Sequence, residues 1–447
     1  MADLKDSDKE IFEIIQQEGK RIRNGLEMIP SENFVSKAVL QTLGSYLNCK
    51  YSEGYPEKRY YGGNEFIDKA ETLAINRAKK AFNVPHANVQ PYSGSSANLA
   101  VYFATCNPGE VIMGQSLPDG GHLTHGWKAS MTGKLFKSVQ YSVKEDGYLD
   151  LEEIKKLAQT YKPKLIWVGA TSYAREFPFE ELGKIADEVG AYLAADISHI
   201  AGLVVAGVHK SPARYAHIIT TTTHKTLRGP RGSMIMVTEK GLKKDPELAE
   251  KIDKTVFPGM QGGPHDNQTA AIAVCLKEAL TPEFKIYAEN IIKNSKKLAQ
   301  TLMENKVKLV SNGTDNHLCL IDLTNQGIGK GVFLQEALEQ AGITVNKNSI
   351  PRDKSSPFYP SGVRLGVPAI TTRGMGESEM QSIGKWIAEV VEEIKKFNLP
   401  EEKEQRKIYL QEFKEEIKKN QKIKQIREQV LELCKKFPLY PDFDVLS

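Results

Sequence analysis

Ile11, Ile14 and Ile15 stand at near-helical spacing among charged residues, so residues 7–24 are expected to form an amphipathic helix with one face against another surface. From Pro30 to Asn64 the chain is rich in Gly, Tyr and Ser. It reads as ordered loop interrupted by a short helix, Ala38–Leu47, and a second helix is expected over Phe66–Phe82. Beyond it the pattern changes. Short apolar runs at Glu110–Gly114, Ser138–Val143, Lys164–Ala170, Ala191–Asp196, His217–Thr222 and Ser233–Val237 alternate with helical patterns such as Phe179–Val189. Runs of strand length separated by amphipathic helices predict an α/β fold with a mostly parallel sheet covered on both faces. Such sheets hold ligands beyond the carboxyl ends of their strands. The chemically distinctive residues fall there: Asp196 closes one run, and His224 and Lys225 follow another. Pro282–Gln300 reads as a long helix, Lys308–Leu323 and Thr344–Asn346 as strands of a smaller α/β unit, and Met380–Phe437 as mainly helical. Residues 401–436 are crowded with Lys and Glu at helix spacing and read as a solvated helical surface.

Composition narrows this picture. A chain of 447 residues carries two or three domains. Sixty basic against 56 acidic residues, net charge +4, give no argument for a nucleic-acid or membrane partner. Five cysteines are scattered without a CxxC pair, which disfavours a disulfide framework or a zinc site and fits a reducing cytoplasm. The first residues are charged throughout, so no secretory signal is expected. No run approaches the ~18 apolar residues of a membrane span.

Lys225, in TTTTHKTLRGPRG, follows a β-branched run. Burial there would lower its pKa and free its amine to attack an aldehyde; the alternative is a lysine in a polar turn. Asp196 could pair a cationic ring nitrogen, as pyridoxal phosphate (PLP) requires, or simply cap the next turn. Ser93, Gly94 and Ser95 precede the helical pattern Ala97–Thr105 and offer amides and hydroxyls to a phosphate, or form an ordinary cap. In SLPDGGHLTHG, two glycines would let the backbone approach a flat ligand while His122 stacks on it. His125 is three residues on, but no third ligand at suitable spacing supports a metal, so none is expected. Arg364, in YPSGVRLGVPA, suits bidentate capture of a carboxylate, or a structural ion pair. Together these are the parts of a PLP enzyme acting on an amino acid.

The segments TTTTHKTLRGPRG, KYSEGYPEKRYYGGNE, GGHLTHG, FPGMQGGP, ITVNKNSIPRDKSSPFYPSGVRLGVPAIT and LCKKFPLYP occur in this order along the whole chain, and together they resemble the serine hydroxymethyltransferase family. The resemblance implies the fold-type I PLP fold, related to aspartate aminotransferase. It also implies a cytoplasmic homodimer with shared active sites, or a tetramer. The divisions expected are a dimer-contact arm over 1–65, a large PLP domain over 66–285 and a small domain over 286–447. Lys225 would hold PLP covalently, with Thr223 in the same catalytic group, Asp196 at the pyridine nitrogen and His122 on the ring. His199 and Thr171 would contact the ring hydroxyl; Ser93, Gly94, Ser95 and His224 the phosphate. Tyr51, Gly262 and Gly263 would reach the cofactor from a partner subunit. Arg364, helped by Ser31 and Tyr61, would bind the serine carboxylate. Glu53 would be the acid/base group for the hydroxymethyl proton, with a pKa nearer neutrality than a solvated Glu. Tetrahydrofolate, the co-substrate, would lie along Leu117, Gly121, Leu123, Asn348, Ser356, Pro357 and Phe358. A related folate-independent aldolase or transaldolase for threonine-like amino acids is the alternative; the retained NKNSI and SSPF segments favour the folate enzyme.

The chain departs from the family pattern at several places. IPSENF stands for IASENF, GSSAN for GSQAN, DISH for DMAH and FYPSGVR for FVTSGIR, which puts Pro360 beside the carboxylate-binding loop. Asp119 replaces a histidine at the expected folate entrance, and its negative charge predicts weaker binding of a glutamate-tailed folate.

Overall fold

The computed structural model describes residues 3–441. The chain divides into two compact units. One is built from Asn33–Ile292 with Thr314–His317, the other from Met1–Glu32, Lys293–Gly313 and Leu318–Ser447.

The first unit carries a seven-stranded sheet: β1 (His86–Asn88), β2 (Val111–Gln115), β3 (Lys137–Tyr141), β4 (Leu165–Val168), β5 (Tyr192–Asp196), β6 (Ile218–Thr222) and β7 (Ser233–Val237). Its order is β1-β7-β6-β5-β4-β2-β3. The five strands from β6 to β3 run parallel, and β7 is antiparallel to both β6 and β1. Connection length explains the difference. Helices Leu151–Tyr161 and Phe179–Glu188 fill the β3–β4 and β4–β5 connections and carry the chain back across the sheet. Only residues 223–232 join β6 to β7, so the chain turns straight back. Every position of β4, β6 and β7 is buried, which is why these strands read as continuous apolar or β-branched runs rather than alternating ones. Trp167, Ala194, Ile218 and Ile235 from the strands pack with Ala97, Val101 and Tyr102 of the helix Gly94–Thr105 in one core. The register sets Asp196 opposite Thr220, so the segments leaving β5 and β6 emerge side by side.

The second unit holds a three-stranded antiparallel sheet of β8 (Leu318–Asp322), β9 (Asn346–Asn348) and β10 (Gly362–Gly366), ordered β8-β10-β9. The strand expected over Lys308–Leu323 is therefore only its second half. Ser311 and Asn312 take left-handed φ values of 58° and 53°, which no continuous strand accommodates. The charged C-terminal segment forms helices Lys403–Ile417 and Gln421–Lys436. Their Lys and Glu residues face water as expected, but Phe413, Ile417, Ile423, Ile426 and Val430 are buried. The Phe413 ring meets Phe333 and Phe397 at 4.8 and 4.7 Å. The N-terminal helix Lys9–Arg23 forms as its periodicity requires, and Ile11, Ile14 and Ile15 are exposed on it. Among the described residues, no helix is long and apolar enough to cross a membrane.

Candidate active site

Lys225 lies just past the end of β6 and is 9% exposed. The turn around it is tied down on several sides. Thr223 Oγ1 donates to Pro230 O at 2.5 Å, Gly229 N to Thr223 O at 2.7 Å, and Asn33 Nδ2 to Lys225 O at 2.9 Å. Thr226 Oγ1 donates to the carbonyl of His199 at 2.9 Å and accepts from Gly202 N. The TTTTHKT sequence thus supplies both the strand and the hydroxyls that lock the turn carrying the lysine. Lys225 lines a pocket whose wall includes Gly94, His122, Thr171, Asp196 and His199.

Asp196 ends β5 and is surrounded by donors. Ser198 N and Oγ donate to its Oδ1 at 3.0 and 2.6 Å; Asn98 Nδ2 donates to Oδ2 at 2.9 Å, and His125 Nε2 lies 3.2 Å from the same oxygen. Burial opposes ionisation, but His125, His122 and Ser198 outweigh it and hold the carboxyl well below the usual range. Asn98 is oriented in turn by Thr220 Oγ1, which donates to its Oδ1 at 2.7 Å. The result is a buried carboxylate that stays charged and faces the pocket.

His122 is held in one tautomer. Its Nδ1 accepts from Thr124 N at 3.2 Å and lies 2.6 Å from Thr124 Oγ1, whose lone pairs receive Asn98 Nδ2. Burial, with His125 and Lys225 adding to it, pulls its pKa down to about 4, so the ring is neutral and carries its proton on Nε2. Burial beside Lys225 and Arg231 likewise pulls His224 down to about 3. His122, His125 and Asp196 bring three ligand-type atoms within 4.8 Å of one another, a cluster that could hold a metal ion. Both Asp196 oxygens are already engaged, and hydrogen bonding accounts for the arrangement.

The paired glycines of the His122 loop meet a packing demand of the protein itself. A Cβ on Gly121 would lie 2.0 Å from Gln115 O, and Gly120 sits at φ 100° with Thr171 N donating to its carbonyl at 2.7 Å. They let the loop close onto its own strand end, whatever ligand lies beyond.

Ser93 caps the helix Gly94–Thr105 through a reciprocal box with Ser96, leaving Gly94 and Ser95 in the first turn, whose amides have no partner within the helix. Thr222 Oγ1 and His224 Nδ1 are buried without a hydrogen-bond partner. A partnerless Thr222 hydroxyl beside Gly94 at the helix start, an ionised carboxylate, a neutral imidazole and a buried amine fit PLP in donor type and charge.

A second group of expected residues gathers elsewhere in the same unit. Glu53 lines a cleft with Tyr60 and the stretch Phe257–Gly262, and none of these lines the Lys225 pocket. A Cβ on Gly262 would lie 3.0 Å from Glu53 Oε1, one on Gly263 3.3 Å from the Tyr51 ring, and the Tyr51 and Tyr61 rings meet at 5.1 Å. Tyr92, next to Ser93, donates to Gly263 O at 2.6 Å and stacks on His265.

The other expected residues are divided between the units. Leu117 and Leu123 flank Gly121 in the first unit, with Leu123 exposed. Arg364 is buried in β10 of the second, its Nε donating to Asn346 Oδ1 at 3.1 Å. Burial pulls its guanidinium down to about 10, still charged at neutral pH. Asn348 ends β9, Ser356 O accepts from Tyr359 N at 2.9 Å, Phe358 is 77% exposed, and Ser31 is half-buried in the same unit.

His125 and Ser198 also line the pocket, Asn98, Thr124 and Trp167 support its lining residues, and sequence reasoning gave none of the five a role. A buried Asn in the apolar helix after GSS was the available signal.

The sequence profile of the family described as Serine hydroxymethyltransferase matches residues 4–387. Proteins named serine hydroxymethyltransferase from three organisms are similar over most of their length. The Acidothermus cellulolyticus protein is 53% identical over 397 residues, 89% of this chain and 91% of that one. The Methanospirillum hungatei protein is 50% identical over 443 residues, 99% and 100% of the two chains. The Desulfotalea psychrophila protein is 54% identical over 391 residues, 88% and 90%.

Proposed function

The chain belongs to the serine hydroxymethyltransferase family, and from that premise we propose that the pocket around Lys225 is where it binds PLP and interconverts serine and glycine. The activity is one-carbon transfer: L-serine and tetrahydrofolate give glycine, 5,10-methylenetetrahydrofolate and water, with PLP as cofactor and folate as co-substrate. Bound PLP supplies an electron sink for the carbanion left when the bond between Cα and Cβ of serine breaks.

The observation that carries the site assignment is the Asp196 carboxylate, charged and donor-surrounded, in the same pocket wall as Lys225. Lys225 Nζ would hold the cofactor at its aldehyde carbon. Asp196 keeps a proton on the ring nitrogen. His122, neutral, lies against the ring without adding charge. His199 and Thr171 hold the ring oxygen; Ser93, Gly94, Ser95 and His224 hold the phosphate, with Thr223 fixing the turn. Arg364 takes the substrate carboxylate with Ser31 and Tyr61. Folate lies along Leu117, Gly121, Leu123, Asn348 and the Ser356–Phe358 turn.

Glu53, as proton donor and acceptor at the hydroxymethyl group, acts in a site completed by a second subunit, with Tyr51, Gly262 and Gly263. Its separation from the Lys225 pocket supports that reading, as do the exposed isoleucines of Lys9–Arg23 in the proposed dimer-contact arm over 1–65. A cytoplasmic homodimer of the fold-type I class, or a tetramer built from it, follows, with the large domain over 66–285 and the small one over 286–447. No observation favours the folate-independent aldolase.

Borohydride reduction of the PLP-loaded protein followed by peptide mapping tests the site. The label is expected on Lys225 and absent in Lys225→Ala. Label on another lysine overturns the assignment.

A further inference from the structure

We propose that His317 is a positioning residue for this reaction: from behind the pocket wall it determines which nitrogen of His199 carries the proton that faces the pocket. The proposal rests on the pocket being the cofactor site.

His199 follows Asp196 and Ser198 out of β5, is 6% exposed, and lines the pocket. Its Nδ1 lies 3.1 Å from Nε2 of His317, 118 residues further along the chain. The rings are 5.3 Å apart and inclined by 31°. His317 is fully buried and does not line the pocket. It is held by the residues before it. Thr314 Oγ1 and Asp315 N donate to Ala174 O at 3.2 and 2.8 Å, Asn316 Nδ2 donates to Tyr173 O at 2.9 Å, and the Asp315 carboxylate pairs with Arg175. The hydroxyl of Thr226, the residue after Lys225, donates to the His199 carbonyl at 2.9 Å. The His199 ring is thus braced at its backbone from the lysine turn and at Nδ1 from His317.

Two imidazoles that meet nitrogen to nitrogen need one N–H and one lone pair between them whenever both are neutral. If His317 Nε2 donates, His199 carries its own proton on Nε2 and presents a donor to the pocket. If His199 Nδ1 donates, its Nε2 is a lone pair and presents an acceptor. The proton at the pocket edge is therefore coupled to the proton on His317. An anionic ring oxygen needs the donor arrangement, so in the loaded protein His317 donates and His199 holds its proton on Nε2. This is the logic by which a partner on one imidazole nitrogen sets the chemistry of the other.

The test uses the full-length protein as wild type, His317→Leu and His317→Gln. Leu removes the donor; the Gln amide can restore one near the position of Nε2. Two quantities are read: the dissociation constant of PLP from the initially cofactor-free protein, and the tautomer of His199 from nitrogen-15 histidine spectra, assigned with His199→Asn. His317→Leu is expected to weaken PLP binding about tenfold and to turn a single His199 tautomer into a mixture, with His317→Gln returning both to within about twofold. Wild-type affinity and an unchanged His199 signal in a folded His317→Leu protein would overturn the proposal. So would equal damage in Leu and Gln, which marks a purely structural role. If His317→Leu does not fold, the wild-type spectrum decides alone: a His199 proton on Nδ1 in the loaded protein contradicts the assignment. Failure of the wild-type protein to bind PLP at Lys225 instead removes the pocket reading itself.

Discussion

The Nε2 of His125 lies 3.2 Å from Asp196 Oδ2, and the His125 ring lies flat on Trp167, 9° from parallel with centroids 5.0 Å apart. The carboxylate is thereby aimed by a side chain that is itself clamped by the core. Every group around Asp196 is a donor, so an amide in its place must set an N–H against another N–H. Asp196→Asn is expected to weaken PLP binding by roughly 10- to 100-fold, the worth of one or two charged hydrogen bonds. His125→Leu, which removes one donor and leaves the charge, is expected to cost less. Titration of cofactor-free protein with PLP decides this, and wild-type affinity in Asp196→Asn would remove Asp196 from the ring nitrogen.

Gly121→Ala is expected to abolish the His122 loop geometry. The new Cβ would meet the backbone oxygen of Gln115 at 2.0 Å, and a backbone atom at a strand end cannot give way as a flexible side chain can. Loss of PLP binding with the helical circular-dichroism signal retained is the expected result. A substitution that leaves PLP affinity intact would mean the loop relaxes without consequence for His122.

The α/β pattern was legible because most of the large sheet's strands are buried on both faces and read as unbroken apolar runs; β6 and β7 match theirs closely. Strand-end logic then found Asp196 and Lys225. The supporting residues were not legible, because their partners are distant in sequence: Asn98 and Asp196 are 98 residues apart, His199 and His317 118. Local pattern misled where two causes share one signature. The glycines at 120 and 121, read for a flat ligand, also answer to the protein's own strand end, a demand the local pattern does not show. Charge density over 401–436 masked the apolar seam from Phe413 to Val430. The Asn312-Gly313 pair inside the run before β8 is a turn signal that its apolar pattern outweighed, and left-handed Ser311 and Asn312 break the strand there.

His217 gives a pH dependence outside the pocket. Its Nδ1 accepts from Leu193 N at 2.9 Å, so it must be unprotonated there. Burial, reinforced by Lys240 and Lys244 and opposed by Asp187, pulls it down to about 4 from an ordinary 6.5. Between those values the unfolded chain binds a proton that the folded one refuses. The contribution is whole above pH 6.5 and is lost as pH falls toward about 4, up to about 3 kcal/mol in all. In His217→Gln, the denaturation midpoint of cofactor-free protein should fall less steeply with acid than in wild type. Parallel curves would show that His217 does not titrate in this window.

Asp119 turns its carboxylate back onto the Ser116 hydroxyl, closing the turn that leads to Gly121. The charge remains at the expected folate entrance. Asp119→His should lower KM for polyglutamylated tetrahydrofolate roughly threefold at low ionic strength, with the difference shrinking as salt is added. Equal KM values for both proteins at low salt would place the glutamate tail away from Asp119.

Glu53 and Lys225 line different cavities of the same unit, which makes their cooperation testable across subunits. Glu53→Gln should lower turnover by about 10²- to 10³-fold, as expected for loss of a proton-transfer group, while PLP still binds. Lys225→Ala should be inactive for its own reason. If each site takes Lys225 from one subunit and Glu53 from the other, a mixed dimer of the two variants has one site with both defects and one with neither. Random exchange of equal amounts then makes half the dimers mixed and restores about a quarter of wild-type activity. If both residues act within one subunit, every site in the mixture keeps a defect and no activity returns. Recovery on mixing therefore requires both a dimer and a shared site, and its absence after demonstrated subunit exchange returns Glu53 to its own chain.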